Sequence, residues 1–331
     1  MDSGIMHFNR GKKMIFESTS ENIENAAAII KAGGLVSFPT ETVYGLGGNA
    51  LDPKAVARIF EAKARPSFDP LITHIADLEM LDKVAEIKDK KIYDIIEKFW
   101  PGSLTLIVPK KDIIPHIVTS GLETMAVRMP DHPTALQLIK SSTGAVAAPS
   151  ANPFGYLSPT TAKHVEEPLG DKIDMILDGG TCRIGVESTV LDVTGKIPII
   201  LRPGGISFED LQSVIHDVEI FNRTTTSPTA PGQLKMHYSP VKPLHIVDSI
   251  NIVKDREKSG ALVFKDGSDT SGFKSVEILS PAGDPVEAAA RLFVALHNLD
   301  KSGIDQIYAE KIPETGLGRA VMDRIYKASE K

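Results

Sequence analysis

The stretch over residues 35–49 reads Leu35-Val-Ser-Phe-Pro-Thr-Glu-Thr-Val-Tyr-Gly-Leu-Gly-Gly-Asn49. It begins with an apolar run that is short enough for a buried β-strand, and Pro39 then stops strand pairing because it has no backbone N–H to donate. We predict a strand over residues 35–38 followed by a glycine-rich turn, an arrangement that often builds a small-molecule site in α/β proteins. A strand and turn without any function fits this stretch alone equally well.

Several other apolar strands also meet hydroxyl groups, arginines or glycines. The strand within residues 119–130 ends at Arg128, residues 145–148 lead into Pro149 and Ser150, and the strand over residues 197–201 stops at Arg202. An arginine at the end of an apolar strand needs an anionic partner or access to solvent. Because ligands of open α/β sheets gather at strand ends, we predict that these segments form one small-molecule site.

Residues 63–71 read Lys63-Ala-Arg-Pro-Ser-Phe-Asp-Pro-Leu71 and follow a predicted helix that starts at Asp52-Pro53. The two cations and two prolines indicate a stiff loop with positive tips. Such a loop suits phosphate, because arginine offers a bidentate fork and lysine a point charge. A solvated pair of charges at a helix C-terminus is the simpler interpretation. His74, in the following apolar strand, is by itself more typical of a core residue than of a catalyst.

The composition restricts the class of protein. The chain has 331 residues, a formal net charge of −6 and one cysteine, Cys182, which rules out an internal disulfide and a cysteine-based zinc site. Residues 241–331 hold 13 Lys and Arg against 14 Asp and Glu, and residues 1–240 hold 24 against 29. Neither part is basic, so non-specific nucleic-acid binding has no electrostatic basis. We expect a cytoplasmic protein without a membrane span.

The length and composition predict two domains. Residues 1–13 are predicted to be a disordered lead-in, and residues 14–221 an α/β catalytic domain. Residues 222–243 carry several prolines and little apolar content, which predicts a linker. Residues 244–331 alternate strands and helices as a second, smaller α/β domain, with a long helix that starts at Asp284-Pro285.

Seven motifs over residues 22–215 resemble those of the Sua5/YrdC family, in the family's order. They are Phe-Pro-Thr-Glu-Thr-Val-Tyr-Gly-Leu-Gly from residue 38, Lys-Ala-Arg-Pro with Asp-Pro-Leu from residue 63, Pro-Gly-Ser-Leu-Thr from residue 101, Val-Arg-Met-Pro from residue 127, Ala-Pro-Ser-Ala-Asn from residue 148, Glu-Ser-Thr-Val from residue 187, and Leu-Arg-Pro-Gly-Gly from residue 201. The segment His237-Tyr-Ser-Pro240 and the α/β tail resemble the longer, Sua5-type members. The resemblance therefore covers nearly the whole chain.

The resemblance implies a YrdC-like twisted mixed sheet with flanking helices, joined by a proline-rich linker to a smaller Rossmann-like C-terminal α/β domain. The implied enzyme is a nucleotidyltransferase, an L-threonylcarbamoyladenylate synthase. Such enzymes use L-threonine, bicarbonate and ATP with Mg²⁺ to make the activated intermediate for the t6A modification of tRNA. The nucleophile of that reaction is the N-carboxy-threonine formed from the substrates, so we expect no covalent nucleophile in the protein. The protein supplies positioning and positive charge.

The resemblance also assigns site residues. The family's threonine-binding positions fall on Thr42, His74, Arg128 and Ser188. Its ATP-binding positions fall on Lys63, Arg65, Asp69, Thr124, Ala148, Ser150, Ser158, Arg202 and Tyr238, with Thr40 and Asn152 beside them. Tyr238 belongs to the predicted linker, so the resemblance implies that the linker folds over the nucleotide as a lid. No metal site formed by the protein is expected, since Mg²⁺ accompanies ATP.

One position departs from the family pattern. The family usually carries asparagine where this chain has Asp69. A carboxylate near triphosphate oxygens repels them unless it binds Mg²⁺ or points away. We therefore expect the replacement of Asp69 by asparagine to leave ATP affinity unchanged or to improve it.

The implied partner is a tRNA threonylcarbamoyl transferase that receives the product, without strong direct binding of nucleic acid. Two other functions are compatible with the same fold. An RNA-binding module is disfavoured by the acidic balance and the scarcity of aromatic residues. A carbamoyl-transfer domain, as in hydrogenase-maturation relatives, is disfavoured because those chains are larger and contain zinc fingers, which a single cysteine excludes.

Overall fold

The computed structural model describes residues 14–221, 230, 232 and 237–330. Within these residues, eleven strands form one large mixed sheet and four strands form a smaller parallel sheet. The predicted fold class, a twisted mixed sheet with flanking helices plus a smaller α/β domain, is confirmed. The predicted lead-in over residues 1–13 lies outside the described residues. So does most of the predicted linker, of which Ala230, Gly232 and residues 237–243 are described.

The large sheet contains strands β1 to β11. Their bounds are β1 (Ile15–Glu17), β2 (Val36–Phe38), β3 (Gly45–Asn49), β4 (Ile72–Ile75), β5 (Leu104–Pro109), β6 (Thr124–Arg128), β7 (Ala145–Ala147), β8 (Met175–Asp178), β9 (Thr189–Asp192), β10 (Ile199–Arg202) and β11 (Glu219–Ile220). In space the order is β1-β8-β2-β3-β7-β4-β6-β5-β9-β10-β11. Consecutive strands are therefore often separated in the sheet, and distant segments of the chain meet at its centre.

Helices flank this sheet, and one of them begins at the capping residue that the sequence predicted. Their bounds are α1 (Ser20–Lys31), α2 (Pro53–Lys63), α3 (Leu78–Val84), α4 (Lys91–Phe99), α5 (Pro133–Ser141), α6 (Ala162–Leu169) and α7 (Phe208–Gln212). Asp52 caps α2 by accepting a hydrogen bond from the backbone N–H of Lys54, and Pro53 occupies the first helical turn. Ala64 ends α2 in the left-handed conformation, which turns the chain toward the sheet.

The prediction of a glycine-rich turn directly after β2 is wrong. Residues Gly45–Asn49 form strand β3, which pairs antiparallel with both β2 and β7. A Cβ atom on Gly47 would lie 2.7 Å from Cε1 of Phe38 and 2.9 Å from Cγ1 of Val146. The glycines are therefore needed because large side chains of the neighbouring strands fill the space beside the backbone. The turn itself lies earlier, over residues 39–44.

Two central strands place the functional residues side by side. Strands β4 and β6 are parallel neighbours, and their register pairs His74 directly with Arg128. Strand β5 is antiparallel to β6 and parallel to β9, with Leu104 opposite Thr189. The residue before β9, Ser188, therefore lies at the same edge of the sheet as Arg128. In this mixed sheet, both strand starts and strand ends reach the site.

The second domain packs its helices on a four-stranded parallel sheet. Its elements are β12 (Leu244–Val247), β13 (Ser259–Val263), β14 (Ser275–Ile278), α8 (Pro285–Lys301), β15 (Gln306–Glu310) and α9 (Gly318–Ser329), with the strands in the order β12-β15-β13-β14. One buried cluster joins the apolar face of α8 to catalytic-domain residues such as Leu157 and Val186. The two domains therefore share a hydrophobic core.

The backbones of the two domains lie against each other at Gly185. A Cβ atom there would lie 2.4 Å from the carbonyl oxygen of Ala289 and 2.5 Å from Cα of Ala290, both on α8. The φ of Gly185 is +78°, which also favours glycine. At this point one backbone packs directly on the other.

Among the described helices, none is both long enough and apolar enough to span a membrane.

Candidate functional site

One cavity at the centre of the large sheet collects most of the predicted site residues. It is lined by Thr40, Thr42, Val43, Gly45, Arg65, Pro70, Leu71, Ile72, His74, Arg128, Ala148, Pro149, Ser150, Glu187, Ser188, Arg202, Gly232, His237 and Tyr238. Its free space of about 50 Å³ accommodates a few water molecules. The lining includes three arginines and several hydroxyl groups, which is the chemistry that binds carboxylates and phosphates.

Arg128 is held by three groups at the end of β6. Its Nε donates to the carbonyl oxygen of Gly102 (2.9 Å), its Nη1 to Oγ1 of Thr42 (3.0 Å) and its Nη2 to Oε1 of Glu41. The Glu41–Arg128 pair is almost fully buried, and the other Glu41 oxygen accepts a hydrogen bond from the backbone N–H of Asp131 (3.0 Å). Glu41 therefore fixes the guanidinium in one orientation. Two of its five N–H groups make no hydrogen bond with the described residues, so they remain for a ligand.

His74 is a buried, neutral imidazole that faces the cavity. Its ring makes an edge contact with Phe38 at 6.3 Å, and Nδ1 has no hydrogen-bond partner among the described residues. Burial, and then the charge of Arg128, lower the pKa of His74 to about 3. A buried nitrogen without a partner is unlike the satisfied core histidine of the simpler interpretation. His74 therefore remains a candidate for accepting or donating a hydrogen bond to a ligand.

Ser188 connects the threonine-binding candidates to Arg202. Its hydroxyl lies 2.7 Å from Oγ1 of Thr105, and its carbonyl oxygen accepts hydrogen bonds from Nε (3.1 Å) and Nη2 (2.8 Å) of Arg202. Arg202 is almost fully buried at the end of β10. Arg202 has only neutral hydrogen-bond acceptors among the described residues, so no carboxylate is hydrogen-bonded to its charge on the cavity side.

The segment after α2 does not form exposed positive tips. Lys63 and Arg65 are both buried, and Nζ of Lys63 donates to the carbonyl oxygens of Ser150 (2.6 Å) and Asn152. Arg65 donates to the carbonyl oxygens of Asp69 (3.0 Å) and Pro70 (2.9 Å). The interpretation as a solvated pair of charges is therefore wrong. Lys63 instead connects the end of α2 to residues 150–152 by hydrogen bonds, and Arg65 lines the cavity.

Asp69 pairs with Arg65 and does not line the cavity. One of its carboxylate oxygens lies 2.9 Å from Nη2 of Arg65, although neither oxygen makes a well-oriented hydrogen bond with the described residues. Burial raises the pKa of Asp69, and the nearby Arg65 opposes this shift. A carboxylate at this position could repel the ATP phosphates, bind Mg²⁺ or point away from both. The geometry matches the last of these, because Asp69 lies outside the cavity lining and pairs with Arg65.

Residues from the predicted linker close one side of the cavity. Tyr238 is buried, has a φ of +62°, and carries a hydroxyl without a hydrogen-bond partner among the described residues. A Cβ atom on Gly232 would lie 2.7 Å from Cδ of Arg202 and 3.0 Å from the Tyr238 hydroxyl. His237 packs against the rings of Tyr238 and Phe154. These linker residues lie directly over Arg202.

The cavity brings together most but not all of the assigned positions. All four threonine-binding candidates line it: Thr42, His74, Arg128 and Ser188. Five ATP-binding candidates line it as well: Arg65, Ala148, Ser150, Arg202 and Tyr238. Lys63, Asp69, Thr124 and Ser158 do not line it, and neither does the reserve residue Asn152. Thr124 begins β6 whereas Arg128 ends it, so about 13 Å separates them, a distance that a nucleotide can span.

Sequence reasoning missed two carboxylates that organise the site. Glu41 holds Arg128, and Glu187 lines the cavity while accepting hydrogen bonds from Ser158 and Arg324. Both residues stand inside quoted motifs, between or beside the threonine and serine hydroxyls. An acidic residue in an otherwise hydroxyl-rich motif was the available signal, but its cationic partner lies far away in the chain.

Known proteins resemble this chain over nearly its whole length. The family of the Sua5, YciO and YrdC proteins, described as "Telomere recombination", matches residues 28–204, and the threonylcarbamoyl-AMP synthase C-terminal domain matches residues 206–330. A threonylcarbamoyl-AMP synthase of Pyrococcus abyssi is 46% identical, with 93% of this chain and 94% of that protein covered. A threonylcarbamoyl-AMP synthase of Bacillus subtilis is 42% identical, with 93% and 92% covered.

A solved structure has the same two-domain architecture. The crystal structure of P. abyssi Sua5 in complex with L-threonine superposes with a TM-score of 0.87 at 43% sequence identity, covering 96% of each chain. Both family domains and the full-length relatives thus match nearly the whole chain, which confirms the prediction made from the seven motifs. This chain belongs to the Sua5/YciO/YrdC family, in its two-domain Sua5 form.

Proposed function

We propose that this chain is an L-threonylcarbamoyladenylate synthase, a nucleotidyltransferase that condenses L-threonine, bicarbonate and ATP. The observation that carries the proposal is a single cavity that is lined by Arg128, His74 and Ser188 together with Arg65 and Arg202. One group of residues suits an amino acid, and the other suits phosphates. The full-length relatives that carry the same activity in their names support it.

The threonine side of the cavity binds and orients the amino acid. The two N–H groups of Arg128 that make no hydrogen bond with the described residues donate to the two oxygens of the threonine carboxylate. Thr42 and Ser188 offer hydroxyl groups on either side, and neutral His74 offers an imidazole nitrogen. Because His74 stays neutral, it does not repel the ammonium form of the incoming substrate.

The reaction then proceeds between substrates that the protein holds. The ammonium group first loses a proton to solvent, and the free amine then adds to bicarbonate with loss of water. The resulting carbamate oxygen attacks the α-phosphorus of ATP. The bond between the α- and β-phosphates breaks, and pyrophosphate leaves with its electron pair. Arg65 and Arg202 stabilise the charge on the transferring phosphorus and the leaving group.

Magnesium enters this proposal as part of the MgATP substrate. Among residues 14–221, 230, 232 and 237–330, no group of three or more histidine, cysteine, aspartate or glutamate side chains could hold a metal ion. Phosphate oxygens and water molecules therefore provide most of its ligands, as is usual for Mg²⁺. The free space of about 50 Å³ is smaller than a nucleotide, so ATP binding goes with an enlargement of the cavity.

The proposal includes a cytoplasmic location and transfer of the product to a tRNA-modifying transferase.

The test is pyrophosphate release from MgATP, with L-threonine and bicarbonate omitted one at a time. Release that requires both supports the synthase, whereas release that ignores threonine refutes it. A parallel reaction with carbamoyl phosphate distinguishes a carbamoyl-transfer domain. Binding of tRNA with a steep salt dependence would favour an RNA-binding module.

A further inference from the structure

Arg324, on helix α9 of the second domain, is a buried cation whose position in the sequence lies outside all seven family motifs. It is fully buried, and its Nε donates to Oε2 of Glu187 at 2.7 Å across the interface between the domains. Its Nη1 contacts the carboxylate of Asp323 at 2.5 Å, and its Nη2 has no hydrogen-bond partner among the described residues. A buried arginine that is incompletely satisfied needs an explanation beyond stability.

The carboxylate that Arg324 holds is part of the cavity wall. Glu187 lines the cavity, and its Oε1 accepts a hydrogen bond from the hydroxyl of Ser158, one of the assigned ATP-binding positions. Burial acts to raise the pKa of Glu187, but the nearby guanidiniums of Arg324 and Arg202 hold the pKa below its usual value. The negative charge of Glu187 therefore lies at the phosphate side of the cavity. Arg324 neutralises this charge from outside the cavity lining.

The same guanidinium also holds the linker. Its central carbon lies 4.9 Å from the centre of the Tyr238 ring, a cation–π distance. One turn later on α9, Nζ of Lys327 donates to the carbonyl oxygen of Gly232 at 2.8 Å. Asp323 contacts both cations, which keeps them on one face of the helix. Helix α9 therefore touches two of the linker residues that line the cavity.

These contacts converge on one side of the site. Arg324 reaches Glu187 and Tyr238, both in the cavity wall, but it does not line the cavity itself. Its described hydrogen bonds include none with the threonine-binding candidates. We infer that Arg324 is a positioning residue for ATP, which completes the nucleotide half of the cavity by holding Glu187 and the ring of Tyr238. The catalytic domain is incomplete until α9 docks on it. This inference rests on the proposed synthase activity.

The test compares the substitution Arg324→Met with the double substitution Arg324→Met and Glu187→Gln. Without Arg324, the buried carboxylate of Glu187 opposes the ATP phosphates, so we expect the KM for ATP to rise by about tenfold or more. Removing the charge of Glu187 as well should recover most of that loss. The dissociation constant of L-threonine, measured by calorimetry, should stay within about twofold of the wild type in both variants.

A matched control is available on the same helix. Arg319 also bridges the two domains, since its Nη2 lies 3.5 Å from Glu209 and its guanidinium packs over Phe208. It does not line the cavity. Arg319→Met should leave the KM for ATP unchanged. If it raises that KM as much as Arg324→Met does, the effect belongs to domain docking in general and the inference is overturned.

Four further outcomes test the inference and the function on which it rests. An unchanged KM for ATP in Arg324→Met, or a double variant no better than the single one, refutes the positioning role. If Arg324→Met does not fold, Arg324→Lys keeps the charge beside Glu187 but lacks the planar group over Tyr238. It should then show a smaller rise in the KM for ATP than any neutral substitution that folds, and an equal or larger rise refutes the inference. Wild-type enzyme that releases no pyrophosphate with threonine would instead refute the proposed function.

Discussion

Arg128 is proposed to bind the substrate carboxylate, and the replacement Arg128→Lys separates that role from a purely structural one. Lysine keeps a positive charge beside the buried Glu41, so the carboxylate retains a partner. It lacks the planar fork that also reaches Gly102 and Thr42. The variant should therefore fold while losing bidentate contact with threonine.

The expected size of the effect follows from the hydrogen bonds. Loss of one hydrogen bond to a charged group costs about 1.5–3 kcal/mol, which corresponds to a threonine affinity that is roughly 10- to 140-fold weaker. By contrast, Arg128→Met leaves Glu41 buried without its cation. That variant should lose about 3–5 kcal/mol of unfolding free energy, and the added change Glu41→Gln should restore part of it.

Two measurements are needed for this prediction. Calorimetric titration with L-threonine gives the affinity, and urea denaturation gives the unfolding free energy of each variant. The KM for ATP provides the internal control, because Arg128 lies on the threonine side of the cavity, and it should change by no more than about twofold. If Arg128→Lys binds threonine as tightly as the wild type does, Arg128 serves only to satisfy Glu41.

Three further predictions concern other parts of the site. Asp69→Asn removes the carboxylate that partly neutralises Arg65. The KM for ATP should then fall by roughly fivefold, which corresponds to about 1 kcal/mol of electrostatic repulsion. A marked rise in that KM at constant Mg²⁺ would contradict this prediction. The pKa of His74 is about 3 in the folded protein and about 6.5 in the unfolded chain. As the pH falls from 7.5 to 5, the unfolded chain therefore binds a proton at this residue and the folded protein does not. The wild type should lose about 2 kcal/mol of unfolding free energy through His74 over this range. His74→Gln should lack this component in urea titrations at the two pH values, and an equally steep loss in the variant would show that other groups cause it. Gly47→Ala places a methyl group 2.7 Å from the ring of Phe38 and should cost about 1–3 kcal/mol in thermal unfolding; a neutral result would mean that the ring shifts freely.

The sequence predicted the elements whose signals are local. The cap at Asp52, the start of the long helix at Pro285 and the alternation of strands and helices after residue 244 all agree with the sequence prediction. Strand β3 was missed because glycine disfavours a strand in isolation. The ring of Phe38 on the next strand makes glycine necessary there, and that neighbour is known only from the fold.

The site was predictable for residues in strand-end motifs and not for their partners. Arg128 at the end of an apolar strand indicated an anionic partner or access to solvent, and Arg128 both pairs with Glu41 and lines the cavity. The carboxylate that orients it, Glu41, lies 87 positions away, and Arg324 lies 137 positions from Glu187. Pairs of this kind depend on the order of strands in the sheet and on docking between domains, which single-sequence patterns do not specify.

The contact at Gly185 places a limit on how such a chain can diverge. Its backbone conformation alone would accept asparagine or aspartate as well as glycine, but the backbone of α8 leaves no room for any Cβ atom. Without the second domain, helix α8 would not lie against this position, so glycine, asparagine and aspartate could replace one another there. Fusion to the second domain removes that freedom. An ancestral single-domain protein with a larger residue at this position would first have to acquire glycine before a tightly docked partner domain became possible.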